Sequence, residues 1–201
     1  MAFYIGDVPA QPFVIEPPES IALDLFTAAA ATVVAPDGTV HSDGITATIN
    51  EADITVDLPP LTIFDEVGIY RLRVQLEGAD GTQRIPSARF VVQDDSSQWQ
   101  TLDTIREDWP DAEFIADALL WRMLEVSKME CLSFAPKLAE GAPVPINYFD
   151  AQGMQARNRW NARKVAPDGN TGQEDFIIRP FPLDWHVKAT LRPKQGIPVI
   201  A

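Results

Sequence analysis

The sequence of 201 residues has a single cysteine, Cys131, and only two histidines, His41 and His186. A lone cysteine cannot form a disulfide within its own chain, and its place in a helical pattern predicts a core thiol rather than a nucleophile. The two histidines fall in a polar turn and in a short helix, so we expect surface or packing roles for both. The sequence has no HExxH or paired CxxC motif and no cluster of histidines and carboxylates that would predict a zinc site.

Catalytic and phosphate-binding signatures are also missing. The sequence contains no G-x-S-x-G nucleophile elbow, no glycine-rich phosphate loop and no GxGxxG fingerprint. Its 29 aspartates and glutamates are numerous enough to give a carboxylate pair by chance, so such pairs carry little weight. We therefore predict that the protein is not an enzyme and binds neither a metal nor a cofactor.

Long hydrophobic runs are absent as well. The apolar stretch Ala28–Ala35 is far shorter than the roughly 20 residues that a membrane-spanning helix needs. We expect neither a signal peptide nor a membrane segment, and a reducing compartment suits the unpaired cysteine.

Positive charge is scarce in the N-terminal half, and the first lysine of the chain is Lys128. The net charge of −13 is unevenly spread, because residues 1–93 carry 13 acids against 4 arginines, and residues 101–150 carry 10 acids against 4 bases. From Arg157 to the end the sign reverses, with 8 bases against 4 acids. This asymmetry argues against wrapping of nucleic acid by the N-terminal half and permits a basic C-terminal surface that meets an acidic partner.

Residues 2–93 have the pattern of short β-strands separated by turns. Strands at this spacing predict a sandwich or a barrel rather than an alternation of strands and helices. Turn signals stand at Pro36–Gly38 and Gly78–Gly81. The predicted strands are Ile21–Leu25, Ala29–Ala35, Thr39–His41, Ile45–Ile49, Ile54–Leu58, Tyr70–Leu76 and Thr82–Val92.

One segment of this region resembles immunoglobulin-like domains. Asp65–Val74 is similar to the signature D-x-x-G-x-Y-x-C-x-V at the start of strand F, with Leu72 at the position of the cysteine. The resemblance implies that Tyr70 is a structural tyrosine corner, with a buried ring and a hydroxyl bonded to nearby backbone. Leu72 and Val74 then face the core, while Arg71 and Arg73 face solvent.

Beyond residue 93 the periodicity changes from that of strands to that of helices. Residues 94–100 are mostly polar and predict a linker. A short helical turn is expected over Thr101–Trp109. The longest helix is predicted to start after an N-cap at Asp111 and to end at Phe134, because apolar residues recur there at spacings of three and four and Pro136 follows.

The rest of the chain predicts two more helices and two extended segments. A helix is expected over Val144–Lys164, where Gly153 either costs about 1 kcal/mol relative to alanine or lets another backbone approach closely. A loop over Pro167–Gly172 and an extended segment over Asp175–Asp184 follow. The last residue of that segment is placed to cap a short helix, Trp185–Leu191, and the remaining tail is rich in proline.

Four segments of the C-terminal half follow one another along the chain: Asp108–Ala112, Leu124–Pro136, Met154–Arg163, and a tail made of Ile178–Asp184 and Leu191–Pro198. Together they resemble the head-to-tail adaptor (head completion) proteins of tailed phages that infect actinobacteria. The resemblance covers about residues 101–201. None of the four parts is a catalytic signature, so the resemblance depends on their order.

The resemblance implies a structural protein of the virion neck that is made in the host cytoplasm. Its protomers form a ring, a dodecamer in this family, between the portal and the next connector (stopper) or tail protein. The ring continues the DNA channel without reading the DNA sequence, and it contacts no membrane. The predicted class is therefore α+β in separate domains, with an immunoglobulin-like β-sandwich over residues 1–93, a linker over 94–100, and an α-helical adaptor domain with an extended C-terminal arm over 101–201.

The proline-rich tail is predicted to be an arm that binds the clip region of the portal by strand addition or by filling a groove. Its prolines remove amide donors and favour an extended backbone. The alternative is a strap packed over the helices of its own chain. The arm residues are Leu191, Arg192, Pro193, Lys194, Ile197, Pro198, Val199 and Ile200.

The second long helix carries a basic group that is predicted to contact a neighbouring subunit or to line the lumen. Its members are Arg157, Arg159, Trp160, Arg163 and Lys164. Acids such as Asp117, Glu125 and Glu130 of the adjacent protomer are the expected partners. The alternative is that these basic side chains are only solvated.

A competing interpretation is a carbohydrate-binding or adhesion module mounted on a helical stalk. Such a module needs a cluster of exposed aromatic side chains on the sandwich. Residues 1–93 contain no tryptophan, and several of their seven phenylalanines and tyrosines are spaced as core residues. The adaptor is therefore the favoured prediction, with the sandwich as an outward decoration.

Overall fold

The computed structural model describes residues 2–59, 64–164 and 183–193, without the side chain of Lys164. The chain divides into two compact units, Met1–Asp94 and Asp95–Ala201. Strands make up the first unit and α-helices the second, so the prediction of a sheet-rich region followed by helices is confirmed. Among the described residues, no helix is long and apolar enough to cross a bilayer.

The first unit contains two β-sheets. Its strands are β1 (Ala2–Tyr4), β2 (Phe13–Ile15), β3 (Phe26–Val34), β4 (Val40–His41), β5 (Thr46–Ile49), β6 (Ile54–Asp57), β7 (Gly68–Gly78), β8 (Gly81–Arg84) and β9 (Ala88–Gln93). The larger sheet has the order β1-β9-β7-β3-β4, with β8 also paired to β7, and the smaller sheet has the order β2-β6-β5. β1 runs parallel to β9, and the other pairs are antiparallel.

The two sheets share one hydrophobic core, which makes this unit a β-sandwich. Along β7, every second side chain from Tyr70 to Leu76 is buried, while Arg71 and Arg73 are exposed, as predicted. Phe13 of the smaller sheet and Phe90 of the larger sheet belong to the same cluster of buried residues. Aromatic rings therefore join the two sheets.

Two strand predictions in this unit are wrong in detail. Ile21–Leu25 is not a strand, because the Leu25 amide donates to the carbonyl of Ala22 and closes a 3-10 turn over Leu23–Leu25 just before β3. Thr82–Val92 is divided into β8 and β9 by Pro86, which has no amide hydrogen to donate. Between β8 and β9, the three residues 85–87 lie opposite only two residues of β7, Arg73 and Val74. The extra residue forms a β-bulge.

The second unit is helical, with a 3-10 turn at Asp95–Ser97 and the helices α1 (Leu102–Asp108), α2 (Asp117–Phe134), α3 (Ile146–Lys164) and α4 (Trp185–Leu191). The predictions of α1 and α4 are confirmed, and local caps explain both starts. Thr101 and Thr104 form a capping box at α1. Asp184 Oδ1 accepts the amide of Val187 at 2.9 Å at α4.

The helix that was predicted to be the longest starts five residues later than expected, at Asp117 rather than Ala112, and α3 is one residue longer. Pro110–Phe114 is a 3-10 helix, and Ile115 is extended, with φ −96° and ψ 125°. Burial of Ile115 outweighs the suitability of Asp111 as an N-cap, so α2 begins only at Asp117. Its buried face is Leu120, Met123, Leu124, Ser127 and Cys131.

The predicted linker over residues 94–100 also needs correction. Trp99 is buried in a core cluster of the helical unit together with Cys131 and Tyr148. The amide of Gln100 donates to the side chain of Gln152 at 2.8 Å. The end of the presumed linker is thus packed into the helices, because a large indole and a buried amide both find partners there.

Candidate functional site

Arg159 of α3 and Glu130 of α2 form an ion pair between the two long helices. Arg159 Nη1 lies 2.6 Å from Glu130 Oε1, and Gln155 Nε2, one turn earlier on α3, donates to Glu130 Oε2 at 2.7 Å. Both oxygens of the carboxylate are therefore held by α3. Such a charge-assisted and partly buried arrangement fixes how α3 lies on α2.

The two residues before Arg159 bind other parts of the same unit. Arg157 Nη2 donates to the carbonyl of Asp108 at 3.0 Å, and its guanidinium lies 5.6 Å from the centre of the Trp109 ring. Asn158 Nδ2 donates to Asp184 Oδ2 at 2.7 Å. We call Arg157, Asn158 and Arg159 the α3 hub, because three consecutive residues connect α3 with the end of α1, with α2 and with the cap of α4.

Each of the three acids that were predicted to pair with the basic group of a neighbouring protomer lies close to a base of its own chain, and pairing between protomers stays a prediction. Glu130 pairs with Arg159 of its own chain, and Asp117 pairs with Arg106 at 2.6 Å. Glu125 lies 4.0 Å from Lys128 one turn away. The physical reason is proximity, since packing of α2 on α3 brings acid and base together within one protomer.

The remaining members of the basic group lie near the end of α3. Trp160 is half-buried. Arg163 is exposed, and its side chain forms no hydrogen bond or ion pair with any described residue. Lys164 is the last residue of α3. A contact of Arg163 and Lys164 with a neighbouring subunit or with the lumen stays a prediction.

The start of the predicted arm packs on its own protomer. Leu191 is only 2% exposed, because it lies one turn after Val187 on the same face of α4 and enters the same core cluster. The Arg192 guanidinium lies 4.6 Å from the centre of the Phe134 ring. Leu191 is therefore not part of a free arm, and Arg192, although exposed, contacts a ring of its own protomer. Pro193, the last of the described residues, is exposed. Other arm residues lie outside the described part of the chain: Lys194, Ile197, Pro198, Val199 and Ile200.

An apolar stripe runs along the outer side of α2. Val126, Met129 and Leu132 follow one another at a spacing of three residues, and all are exposed, Met129 by 68%. We call these three residues the α2 stripe. Apolar side chains grouped on the surface of a helix are typical of a protein-binding face.

The structure places Tyr70 as a buried link between β7 and the loop before it. Its ring is fully buried, its hydroxyl accepts the amide of Glu66 at 3.2 Å, and the same hydroxyl donates to Asp65 Oδ1 at 3.4 Å. Burial raises the pKa of Tyr70 above its ordinary value of 10.0, and the charge of Asp65 acts in the same direction. This geometry is that of a structural tyrosine.

Replacing Tyr70 with phenylalanine is expected to lower the free energy of unfolding of the sandwich by about 0.5–1.5 kcal/mol at neutral pH, because one buried hydrogen-bonding group is lost. A raised folded-state pKa stabilises the fold below the unfolded pKa, and this contribution disappears as the pH rises through the folded-state value. Tyr70→Phe should therefore lose less stability than the wild type above pH 10. Urea unfolding followed by far-ultraviolet circular dichroism at neutral pH and above pH 10 measures both effects, and equal alkaline losses in the two proteins would contradict this account.

Reactive chemistry is sparse in the described part of the chain. Burial, together with the neighbouring charge of Glu130, raises the pKa of the Cys131 thiol to about 12, which makes it inert at neutral pH. His41 is half-buried at the edge strand β4, and His186 is exposed beside Trp185. No group of three or more His, Cys, Asp or Glu among the described residues is placed to hold a metal ion.

Sequence reasoning missed Gln152, which is 0% exposed at the centre of the helical unit. Its side chain accepts the Gln100 amide and donates to the carbonyl of Leu124 at 3.1 Å. A hint was present, since Gln152 lies at the helical spacing of four from both Tyr148 and Ala156, which are buried. A polar residue on an apolar face of this kind indicates a buried hydrogen bond.

Gly153 permits a close approach at the same place. A Cβ atom there would lie 3.2 Å from Ile105 Cδ1 and 3.3 Å from Gln100 Nε2. Together, Gln152 and Gly153 let α1 and the residues before it pack against α3.

Neither a scan against protein-family models nor a search of curated proteins finds a match to this chain. The site is thus defined by its own contacts: a hub that ties the helices together, and apolar and basic groups on the surface.

Proposed function

We propose that this protein is a head-to-tail adaptor of a tailed phage, a structural protein that forms a ring in the virion neck. The ring joins the portal to the next connector or tail protein and continues the channel for DNA. It performs no chemistry. The proposal starts from the four ordered parts of the sequence that resemble actinobacteriophage adaptors.

The α3 hub is the observation that carries this proposal. It lies within the third of the four parts, and each of its members binds a residue of a different one of the others: Asp108 in the first, Glu130 in the second and Asp184 in the last. A resemblance that extends over one domain requires its four parts to pack together, and the contacts of the hub meet this requirement. The contacts therefore support one packed unit as the origin of the resemblance.

A ring requires surfaces through which copies contact one another. Exposed apolar side chains on the α2 stripe meet this need, because burying each large one contributes about 1.5–3 kcal/mol. Arg163 is exposed near the end of α3 and is available for a neighbouring acid. We assign the α2 stripe to the contact between protomers and the end of α3 to the neighbouring subunit or the lumen.

We also propose that the sandwich is immunoglobulin-like. One sheet contains β9, β7, β3 and β4 and the other contains β2, β6 and β5. This order is consistent with strands G, F, C and C′ in one sheet and B, E and D in the other. The buried Tyr70, whose hydroxyl is bonded to the backbone four residues earlier, supports it further. The proposed role of the sandwich is an outward decoration of the ring.

The alternative of a carbohydrate-binding module has less support. Each of the seven aromatic residues in the described sandwich is buried or half-buried. Sugar binding through stacked aromatic rings requires some of them at the surface. The sandwich therefore lacks, in its described residues, the feature on which that function would depend.

Deleting Lys194–Ala201 tests the arm, since this cut leaves every described residue of α4 in place. The truncated protein is expected to keep its helical circular-dichroism signal and its melting temperature but to lose binding to the portal. An extended segment binds through its own backbone groups and alternate side chains, and both are removed. Co-sedimentation with purified portal gives the readout.

A second variant distinguishes the contribution of the apolar side chains to portal binding from that of the length of the arm. Replacing Ile197, Val199 and Ile200 with serine keeps the length of the arm and removes its apolar groups, so this variant should also fail to bind. Portal binding that is as strong for the truncated protein as for the full chain would rule out the arm.

A further inference from the structure

The arginines of the sandwich all lie on one face of the larger sheet. Residues 1–93 contain 4 arginines, two on β7, one on β8 and one on β9. All four are exposed, and we call them the arginine face: Arg71, Arg73, Arg84 and Arg89. Of the 13 acids in the same residues, only Glu77 lies in a strand of this sheet. A unit that is acidic as a whole thus concentrates its positive charge at one place.

This arrangement has an electrostatic cost within the fold. Arg71 stands directly opposite Arg89 in the β7–β9 ladder, and like charges at opposite positions destabilise a sheet. Arg73 is two residues along the same strand, so it points to the same side. None of the four forms an ion pair or a hydrogen bond through its side chain with any described residue. Glu77 lies on the same side of β7 as Arg71 and Arg73, but it forms no ion pair with any of the four arginines. The repulsion between Arg71 and Arg89 is therefore not offset by a direct ion pair within the described sandwich.

A groove lies within the arginine face at the bulge between β8 and β9. Its volume is about 530 Å³, and its lining includes Arg73, Arg84 and Ser87, with Thr32 and Gln75 on the neighbouring strands. Guanidinium, hydroxyl and amide groups are donors suited to carboxylates, which arginine binds through two parallel hydrogen bonds.

We propose that the arginine face binds an acidic segment of another protein, in which several closely spaced carboxylates pair with the four guanidinium groups. The proposal depends on the sandwich alone and not on the adaptor function. A single small anion in the groove would meet Arg73 and Arg84 but leave Arg71 and Arg89 unused. Duplex DNA, with about one negative charge per 1.7 Å, would extend beyond the face onto a sandwich whose residues 1–93 carry 13 acids. A short run of carboxylates is long enough to reach all four arginines and short enough to remain on the arginine face.

The test measures binding of a fluorescent octaglutamate peptide to the full-length protein by fluorescence anisotropy at low and at physiological salt. Arg73→Gln combined with Arg84→Gln should weaken binding about tenfold, because two exposed charge pairs are lost. Binding by the wild type should also fall as salt rises. Arg122→Gln is the matched control, since it removes an exposed arginine from the helical unit and should leave the affinity unchanged.

Three results would overturn the proposal. The first is equal peptide binding by the double variant and the wild type. The second is tighter binding of a DNA oligonucleotide that carries the same number of charges as the peptide. The third is self-association of the wild type that the double variant loses, measured by sedimentation, because a second copy would then be the partner.

Stability provides an independent readout. Arg71→Gln removes the like-charge opposition to Arg89, so it should keep or raise the melting temperature of the sandwich. A purely structural role for these arginines predicts the opposite, a lower melting temperature in each single variant.

Discussion

Replacement of Phe90 by alanine is expected to lower the free energy of unfolding of the sandwich by about 3–5 kcal/mol. The side chain is 1% exposed, and its ring centre lies within 5.2–5.6 Å of four other rings. These rings belong to Phe3, Phe13, Phe64 and Tyr70. Because Phe13 lies in the smaller sheet, the substitution opens a cavity where the two sheets meet.

The measurement is urea unfolding followed by hydrogen exchange of β7 amides, which report on the sandwich. Phe114→Ala is the matched control, since this ring is 90% exposed in the helical unit and its removal should change stability by no more than about 0.5 kcal/mol. A loss at Phe90 as small as that at Phe114 would show that the aromatic cluster does not hold the sheets together.

Replacement of Gln152 by alanine is expected to destabilise the helical unit by about 2–4 kcal/mol. The substitution removes two buried hydrogen bonds, to the Gln100 amide and the Leu124 carbonyl, and it leaves a cavity at the centre of the unit. The Gln100 amide then has no acceptor in a buried position. Urea unfolding followed by tryptophan fluorescence gives the readout, because all 5 tryptophans lie beyond residue 94.

Gln152→Glu separates hydrogen bonding from packing, since its shape is nearly the same. The second carboxylate oxygen would face the carbonyl of Leu124 without a proton to donate, so we expect a loss at neutral pH that shrinks in acid as the carboxyl is protonated. A glutamate variant as stable as the wild type would mean that packing alone explains the burial of Gln152. Asn161→Ala, an exposed amide on the same helix, is the control and should have little effect.

Local chemistry was sufficient to predict much of the secondary structure. Alternation along β7 predicted which of its side chains face the core, because a strand has a period of two. Asp184 predicted the start of α4, because its side chain accepts an amide within the first turn of that helix. Such interactions span only a few residues, and the sequence displays them directly.

Features that depend on tertiary packing were not predictable in this way. Asp111 has the chemistry of an N-cap, yet α2 begins six residues later, because Ile115 is buried in an extended conformation. Trp99 and Gln100 were interpreted as linker from the polar residues before them, but their partners lie about fifty residues further along the chain. Competition between a local preference and a distant partner cannot be decided from neighbouring residues.

The candidate site shows the same division. The basic character of α3 was visible in the sequence, and so was the apolar content of the tail. Which acid pairs with which base was not, because charge alone does not distinguish Glu130 of the same chain from Glu130 of a neighbour. The structure pairs Arg159 with Glu130 of its own chain and buries Leu191 in its own core, and Arg163 is exposed.

Mass measurement of the full-length protein, alone and mixed with purified portal, tests the adaptor function most directly. Native mass spectrometry or sedimentation of the mixture should show a portal-bound ring whose added mass equals an integral number of chains, a dodecamer by resemblance to the family. The same measurement on the protein lacking Lys194–Ala201 should show free portal. A full-length protein that stays monomeric and leaves the mass of the portal unchanged would contradict the adaptor function.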